Sequence, residues 1–508
     1  MTQPLSGGSP PATAPSGPEA PDAPAQPASG RDHGLKRNAL GAPAIAFYII
    51  AAASPLTGVI AIVPIMIGTG NGIGTPASFL IAAALLLVFA VGYLAMSRHV
   101  RNAGALYAYV TMGLGRTAGL GSASITVFAY SCIQFSLYGG FGYYLSSLLL
   151  RVTGATVPWW VCAVFAMLCC LTVGLRGVHA GGAVLGILIC LECTMLIVLG
   201  LGVIFHPHTS APADFSAAPF TLPAIAAAGV GISIMFAQTT FIGFEGSAIY
   251  SEEAKQPSRT IPRATYFSVV FMAVVYAVTS YLIIANTGMG RAQSVAQRES
   301  GQLVFFVSNR ALGSWASDVF QILIITSIFA AIVTFHNNLS RYLYALGRQG
   351  LLWERLGHTL RGRRTPYIAA ITQTISAAVV VGLFAVLGLD PYTTLFTWLA
   401  GIGTVGIIGA QVMAALAILV FFRRSKVDQR PWHTKIAPAI ATAGMIAMFL
   451  VALSSLDLLL GASTGLTVLL VGLLVLSVVA GTGYALWLRS HSTEKYERMR
   501  MMLTSGEQ

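Results

Sequence analysis

Apolar runs of about twenty residues, separated by short polar stretches, recur along the chain from residue 43 to residue 488. At 1.5 Å per residue, such a run crosses a hydrocarbon core of about 30 Å. The pattern therefore predicts membrane-crossing helices. Twelve are expected, at 43–68, 76–97, 119–149, 157–175, 182–205, 223–250, 265–287, 316–346, 367–388, 395–422, 436–460 and 464–488. Only Gly461-Ala-Ser-Thr464 separates the last two, which makes them a tight helical hairpin. Two runs carry interruptions, the first at Ala53-Ser-Pro-Leu-Thr-Gly58 and the sixth at Ile242-Gly-Phe-Glu245. Proline removes a backbone donor, and glycine costs about 1 kcal/mol inside a helix. Lipid tolerates neither open backbone nor a lone carboxylate, so both interruptions are expected to face protein or a water-filled cavity.

Broken helices in positions one and six, five spans apart, form the pattern of an inverted five-plus-five repeat with two added helices. Because five is odd, the second set enters the membrane from the opposite side. The expected fold class is an all-α polytopic membrane protein whose first and sixth helices are discontinuous. The amino-terminal ends of half-helices offer free N–H groups and partial positive charge, which suit a carboxylate. Carbonyls released at the other break suit an ammonium group or a cation. A pair of such breaks clamps a zwitterion by its backbone-like atoms, which points to solute transport.

Composition agrees. The chain of 508 residues is 56% hydrophobic and 9% charged, against about 25% charged in soluble domains. The net charge of +12 raises the question of nucleic acid, but its distribution answers it. With the amino terminus inside, only Arg151, Arg291, Arg298 and Arg310 of the 29 Lys and Arg lie outside. This is the positive-inside pattern, with both termini cytoplasmic in an inner (plasma) membrane. Clusters such as Arg361-Gly-Arg-Arg364 and Arg423-Arg-Ser-Lys426 are expected to set topology and touch membrane lipids, not nucleic acid. Residues 1–40 are expected to be a disordered cytoplasmic tail, since eight of the 23 prolines fall in the first 30 positions. Residues 41–489 form the transporter domain, and 490–508 a second cytoplasmic tail. All six cysteines lie inside expected spans, and none has spacing that suits a metal. No HExxH motif is present, and no enzyme, metal or cofactor is expected.

Phe241-Ile-Gly-Phe-Glu245 with Glu252-Glu253, Pro257, Arg259 and Ile261-Pro262 resembles the sixth-span signature of amino acid–polyamine–organocation (APC) superfamily permeases. His336-Asn-Asn-Leu-Ser-Arg341, followed by Tyr344-Ala-Leu-Gly-Arg-Gln-Gly-Leu351, resembles their second signature. The resemblance covers roughly residues 40–490. The first break departs from the family's usual Gly-Ser-Gly-like run, which places the chain in a divergent bacterial subgroup. The resemblance implies a LeuT-like fold and secondary transport of amino acids by alternating access. Polyamines or other organic amines, and exchange rather than uptake, are the alternatives, with a membrane-embedded solute sensor as the different class.

Several residues follow as candidates. Ser54, Thr57 and Gly58 in the first break are expected at the substrate carboxylate, and Thr239, Ile242 and Gly243 match family positions facing the substrate amine. Phe241 and Phe244 form an aromatic lid or simply pack. Tyr130, Gln134 and Tyr138 recur at four-residue spacing on one face of span three, a polar stripe expected to face a cavity. Glu245 is either a proton-coupling group or gate, or a structural acid satisfying free N–H groups. Glu192 in span five carries a proton, helps bind a cation, or pairs with a hydroxyl such as Thr326 or Ser327. Glu252-Glu253 with Lys255 and Arg259 is a candidate inner gate. Hydrogen ions are the expected coupling partner, because two intramembrane carboxylates are present and no sodium site is evident.

Overall fold

Ser54 adopts φ 49° and ψ 79°, a left-handed conformation, and the following Pro55 has no N–H to continue the ladder. The first membrane helix is therefore cut into Ala42–Ala53 and a second piece that begins as Pro55–Thr57, widens into a π-helical turn at Gly58–Ile62 and ends as Val63–Gly68. In the computed structural model, residues 41–100, 106–176, 182–205, 214–245, 254–360, 365–460, 464–493 and 496 are described. Eleven helices among them are long and apolar enough to cross a membrane. In order these are span one (Ala42–Gly68), two (Gly72–Met96), three (Arg116–Thr153), four (Trp159–Arg176) and five (Gly182–Phe205). Spans seven to twelve are Pro257–Thr287, Ser314–Arg348, Tyr367–Val386, Pro391–Ser425, Trp432–Ser454 and Thr464–His491.

Span six is the shorter apolar helix Val230–Phe241, followed by the non-helical Ile242–Glu245. The sequence expectation began this span at 223, seven residues too early. Gly229 lies at φ +82°, and a Cβ there would come within 2.6 Å of Gly70 O. The chain turns sharply at that contact before the helix starts. The expected remainder of the span, the Glu252-Glu253 pair, the 361–364 cluster and both tails up to residue 40 and beyond 496 lie outside the described residues.

The inverted repeat is visible in which helices touch. Span one packs on spans five and seven, and span six on spans ten and two. Span three packs on four and ten, and span eight on nine and five. Two pairs with seven, three with eight, and four with nine, so each of these pairs maps onto itself. The repeat extends to short helices not anticipated from the sequence. Leu106–Leu114 packs on spans three and ten, and its counterpart Leu303–Leu312 packs on eight and five. Shifting the span numbers by five converts each of these contacts into itself or another of the set.

Spans eleven and twelve stand outside this scheme. Of the apolar stretch of span one 94% is buried, but of span twelve 17%, so twelve runs along the periphery. Because lipid and leucine are equally apolar, packing in the bundle depends on close backbone approach. Span ten shows it: a Cβ on Gly403 would meet Ala129 O at 3.0 Å, and one on Gly406 would meet Ala129 Cβ at 2.8 Å.

Candidate functional site

The two breaks meet. Gly243 lies at φ +110°, a conformation that a side chain resists, and a Cβ there would sit 2.5 Å from Ala52 Cβ. The unwound part of span six thus rests directly on the last turn of the first half-helix of span one. Each break also carries its own carboxylate.

At the first break, Leu56 N–H donates to Glu192 Oε2 at 3.3 Å, and Ser327 Oγ donates to the same oxygen at 2.8 Å. Ser54 Oγ lies 2.7 Å from Ser327 Oγ and 2.6 Å from Thr57 Oγ1, and it donates to Ser327 O at 3.0 Å. Spans one, five and eight are joined here by one buried carboxylate and three hydroxyls. Such an oxygen-rich set is able to hold a proton or a small cation. Ser327 belongs to this set. Thr326 instead donates to Leu323 O in its own helix.

At the second break, Tyr130 Oη donates to Glu245 Oε1 at 2.7 Å, and Gly243 N–H donates to Glu245 Oε2 at 3.2 Å. Tyr93 Oη holds the carbonyl of Glu245 at 2.8 Å. Glu245 is fully buried, and spans two, three and six close around it. The break is a single loop turn tied down by two phenols and its own carboxylate.

The carbonyls left open by span one are covered by phenols that the sequence reading did not single out. Tyr276 Oη donates to Ala53 O at 2.9 Å, and Tyr392 Oη donates to Ala61 O at 2.8 Å within the π-helical turn. The ring of Tyr276 lies over Gly58, where a Cβ would be 2.4 Å from it, and meets Phe241 edge-on at 6.0 Å. Tyr276 thereby bridges the two breaks. Tyr392 in turn stacks with Phe396 at 5.7 Å and with Tyr143 at 5.1 Å, an aromatic group that closes over the span-one end of the site.

The other candidates divide. Thr239 and Thr404 lie 2.7 Å apart and tie span six to span ten. Gln134 donates to Ile332 O at 3.2 Å, so its amide holds span eight. Tyr130, Gln134 and Tyr138 are all buried, so the polar stripe of span three faces protein. Phe244 turns to span two, edge-on to Phe89 at 6.0 Å, whereas Phe241 and Ile242 stay at the break. His336 and Arg341 are buried within span eight. Deeper in the wall, Gln238 donates to Gln411 Oε1 at 2.9 Å, a second span six to span ten link with no counterpart in the sequence reading. Among the described residues, no group of three or more His, Cys, Asp or Glu side chains gathers to hold a metal.

Comparison with known proteins places these features in a family. The branched-chain amino acid permease BcaP of Lactococcus lactis subsp. cremoris is 26% identical over 415 residues, covering 74% of this chain and 82% of that one. BcaP of Bacillus subtilis is 24% identical over 416 residues, covering 76% and 83%. Among solved structures, the Eremococcus coleocola manganese transporter superposes with a TM-score of 0.53 over 90% of this chain and 95% of its own. At 15% identity that likeness concerns the fold alone. Residues 44–487 match the sequence profile of a family described as "Amino acid permease". The chain is a transporter, not an enzyme, and belongs to the amino acid permease family of the amino acid–polyamine–organocation superfamily.

Proposed function

We propose that this protein is a proton-coupled permease of the plasma membrane that takes up neutral, apolar amino acids by alternating access. The observation that carries the reading is the state of its two intramembrane carboxylates. Glu192 is held by Leu56 N–H and Ser327, and Glu245 by Tyr130 and Gly243 N–H. Both acids are engaged with protein donors at the breaks, which suits coupling groups better than counter-ions for a cationic side chain. The relatives named as branched-chain amino acid permeases point to the same substrate class.

In this reading the α-carboxylate lies at the amino end of the second half of span one, near Thr57 and Gly58. The ammonium lies against the open carbonyls after Phe241. Thr239, Phe241, Ile242 and Tyr130 bound the substrate side chain. Protonation of a carboxylate changes what it accepts from its break, so charge and hinge geometry are linked. The basic faces are taken as cytoplasmic, with both termini on that side.

Reconstituted vesicles with an imposed pH gradient test this. Labelled leucine is expected to accumulate with an inward proton gradient and to exchange in counterflow, while arginine and putrescine do not compete. Leucine uptake indifferent to the gradient would remove proton coupling. Competition by arginine or putrescine would instead move the substrate class to amines.

A further inference from the structure

At the start of span three, a cavity of about 520 Å³ is lined by Arg116, Met112, Phe421, Arg424, Ser425 and Tyr496. The Arg116 guanidinium lies 5.0 Å over the ring of Tyr496, whose hydroxyl is 3.1 Å from Thr117 Oγ1. Further along span three, a second cavity of about 370 Å³ is apolar, with Leu120, Val127, Leu346, Leu352, Ala480 and Tyr484 in its walls. The two chambers share a partition. Tyr496 lines the first and packs against the cluster of Leu120, Leu346 and Leu351 that walls the second. From Arg116 to Val127 the helix advances about 16 Å at 1.5 Å per residue. That places two guanidinium groups at headgroup depth and an open apolar groove at acyl depth.

We propose that these chambers form one binding site for an anionic phospholipid, with its phosphate between Arg116 and Arg424 and an acyl chain between spans three, eight and twelve. Charge and shape both select this occupant. Guanidinium forks match phosphate oxygens in a way that a neutral headgroup does not reward. The groove lies on the lipid-facing side of the bundle, where span twelve is largely exposed. A soluble phosphate would use the first chamber and leave the second without a role. The ring of Tyr496 at the boundary, apolar in body and polar at its tip, suits the interface between headgroup and chain.

Native mass spectrometry of the full-length protein, offered equal amounts of phosphatidylglycerol and phosphatidylcholine, tests the site. Each arginine near an anionic headgroup favours binding by about fivefold. The native protein is therefore expected to retain phosphatidylglycerol preferentially, and R116Q/R424Q to lose that preference. A480F fills the groove without touching either arginine and is expected to reduce retention of phosphatidylglycerol. Glycerol phosphate, the headgroup without chains, is expected not to displace the lipid. Equal retention of both lipids by the native protein would overturn the proposal. So would a preference that survives R116Q/R424Q and A480F, or displacement by glycerol phosphate, which would assign the first chamber to a soluble anion.

Discussion

Tyr130 on span three donates to Glu245 Oε1 at 2.7 Å, reaching across 115 positions of sequence to tie down the loop that breaks span six. A hydrogen bond to a charged group contributes about 1.5–3 kcal/mol. Tyr130→Phe removes the donor and keeps the ring, so transport is expected to fall about tenfold or more while the protein still folds. Glu245→Gln is expected to leave uptake that no longer follows the pH gradient. Initial rates across a pH series in vesicles measure both, and a wild-type pH profile in Glu245→Gln would take this residue out of the coupling step.

The contact between the breaks makes its own prediction. Gly243→Ala meets both a strained φ of +110° and the Cβ of Ala52 at 2.5 Å. Left-handed strain alone costs about 1–3 kcal/mol. A marked loss of thermal stability or of transport is expected. Adding Ala52→Gly removes the steric part only, so the double variant is expected to recover in part. Full recovery would show that the backbone conformation at 243 carries little cost.

Glu192 offers a separation of structure from coupling. Glu192→Gln retains an oxygen for Leu56 N–H and for Ser327, whereas Glu192→Ala leaves Leu56 N–H unpaired and Ser327 with the Ser54 hydroxyl to turn to. An unpaired buried group costs about 1–3 kcal/mol. Melting curves are therefore expected to drop for the alanine variant and to stay near the native value for glutamine. Equal melting of both variants would mean that the carboxylate does not cap the break.

Outside the membrane, Asp428 between spans ten and eleven bonds to Arg430 at 2.6 Å. Hydrogen bonds from Arg430 hold its carboxyl well below the usual carboxylate range. A carboxyl lowered by folding contributes stability above its unfolded pKa, about 3.9, and loses it as pH falls through the lowered value. Asp428→Asn is thus expected to be less stable than the native protein at pH 7 and to converge with it in acid. Because Arg430 is 45% exposed, the difference is expected to stay within about 1 kcal/mol. A gap that widened in acid would contradict the assigned direction.

Much of the fold was legible because its causes are local. Ser54-Pro55 and Gly243 are breaks in any context, and their spacing of five spans announces the repeat. Both intramembrane acids were legible too, since a carboxylate in an apolar run needs a partner. The partners themselves were not. Ser327 and Thr326 are adjacent, and only the rotation of span eight, about 100° per residue, decides which faces Glu192. Tyr276 sits in an unbroken apolar helix, and nothing nearby in sequence marks it as the phenol that covers Ala53 O and Gly58. Phe244 adjoins Gly243, yet the turn at the glycine sends it to span two. The π-helical turn at Gly58–Ile62 leaves no mark in the sequence, because it answers to Tyr392 from span ten.

The seat of Gly243 on Ala52 has a bearing on how such a carrier is retuned. The junction is built from main chain and one methyl group, so no side chain can be enlarged there without prying the helices apart. In the proposed reading, a change of cargo by substitution acts through the flanking positions, Thr239, Phe241 and Tyr130, around a fixed pivot. If the proposed substrate position holds, the part that grips what all α-amino acids share is also the part that leaves least room for mutation.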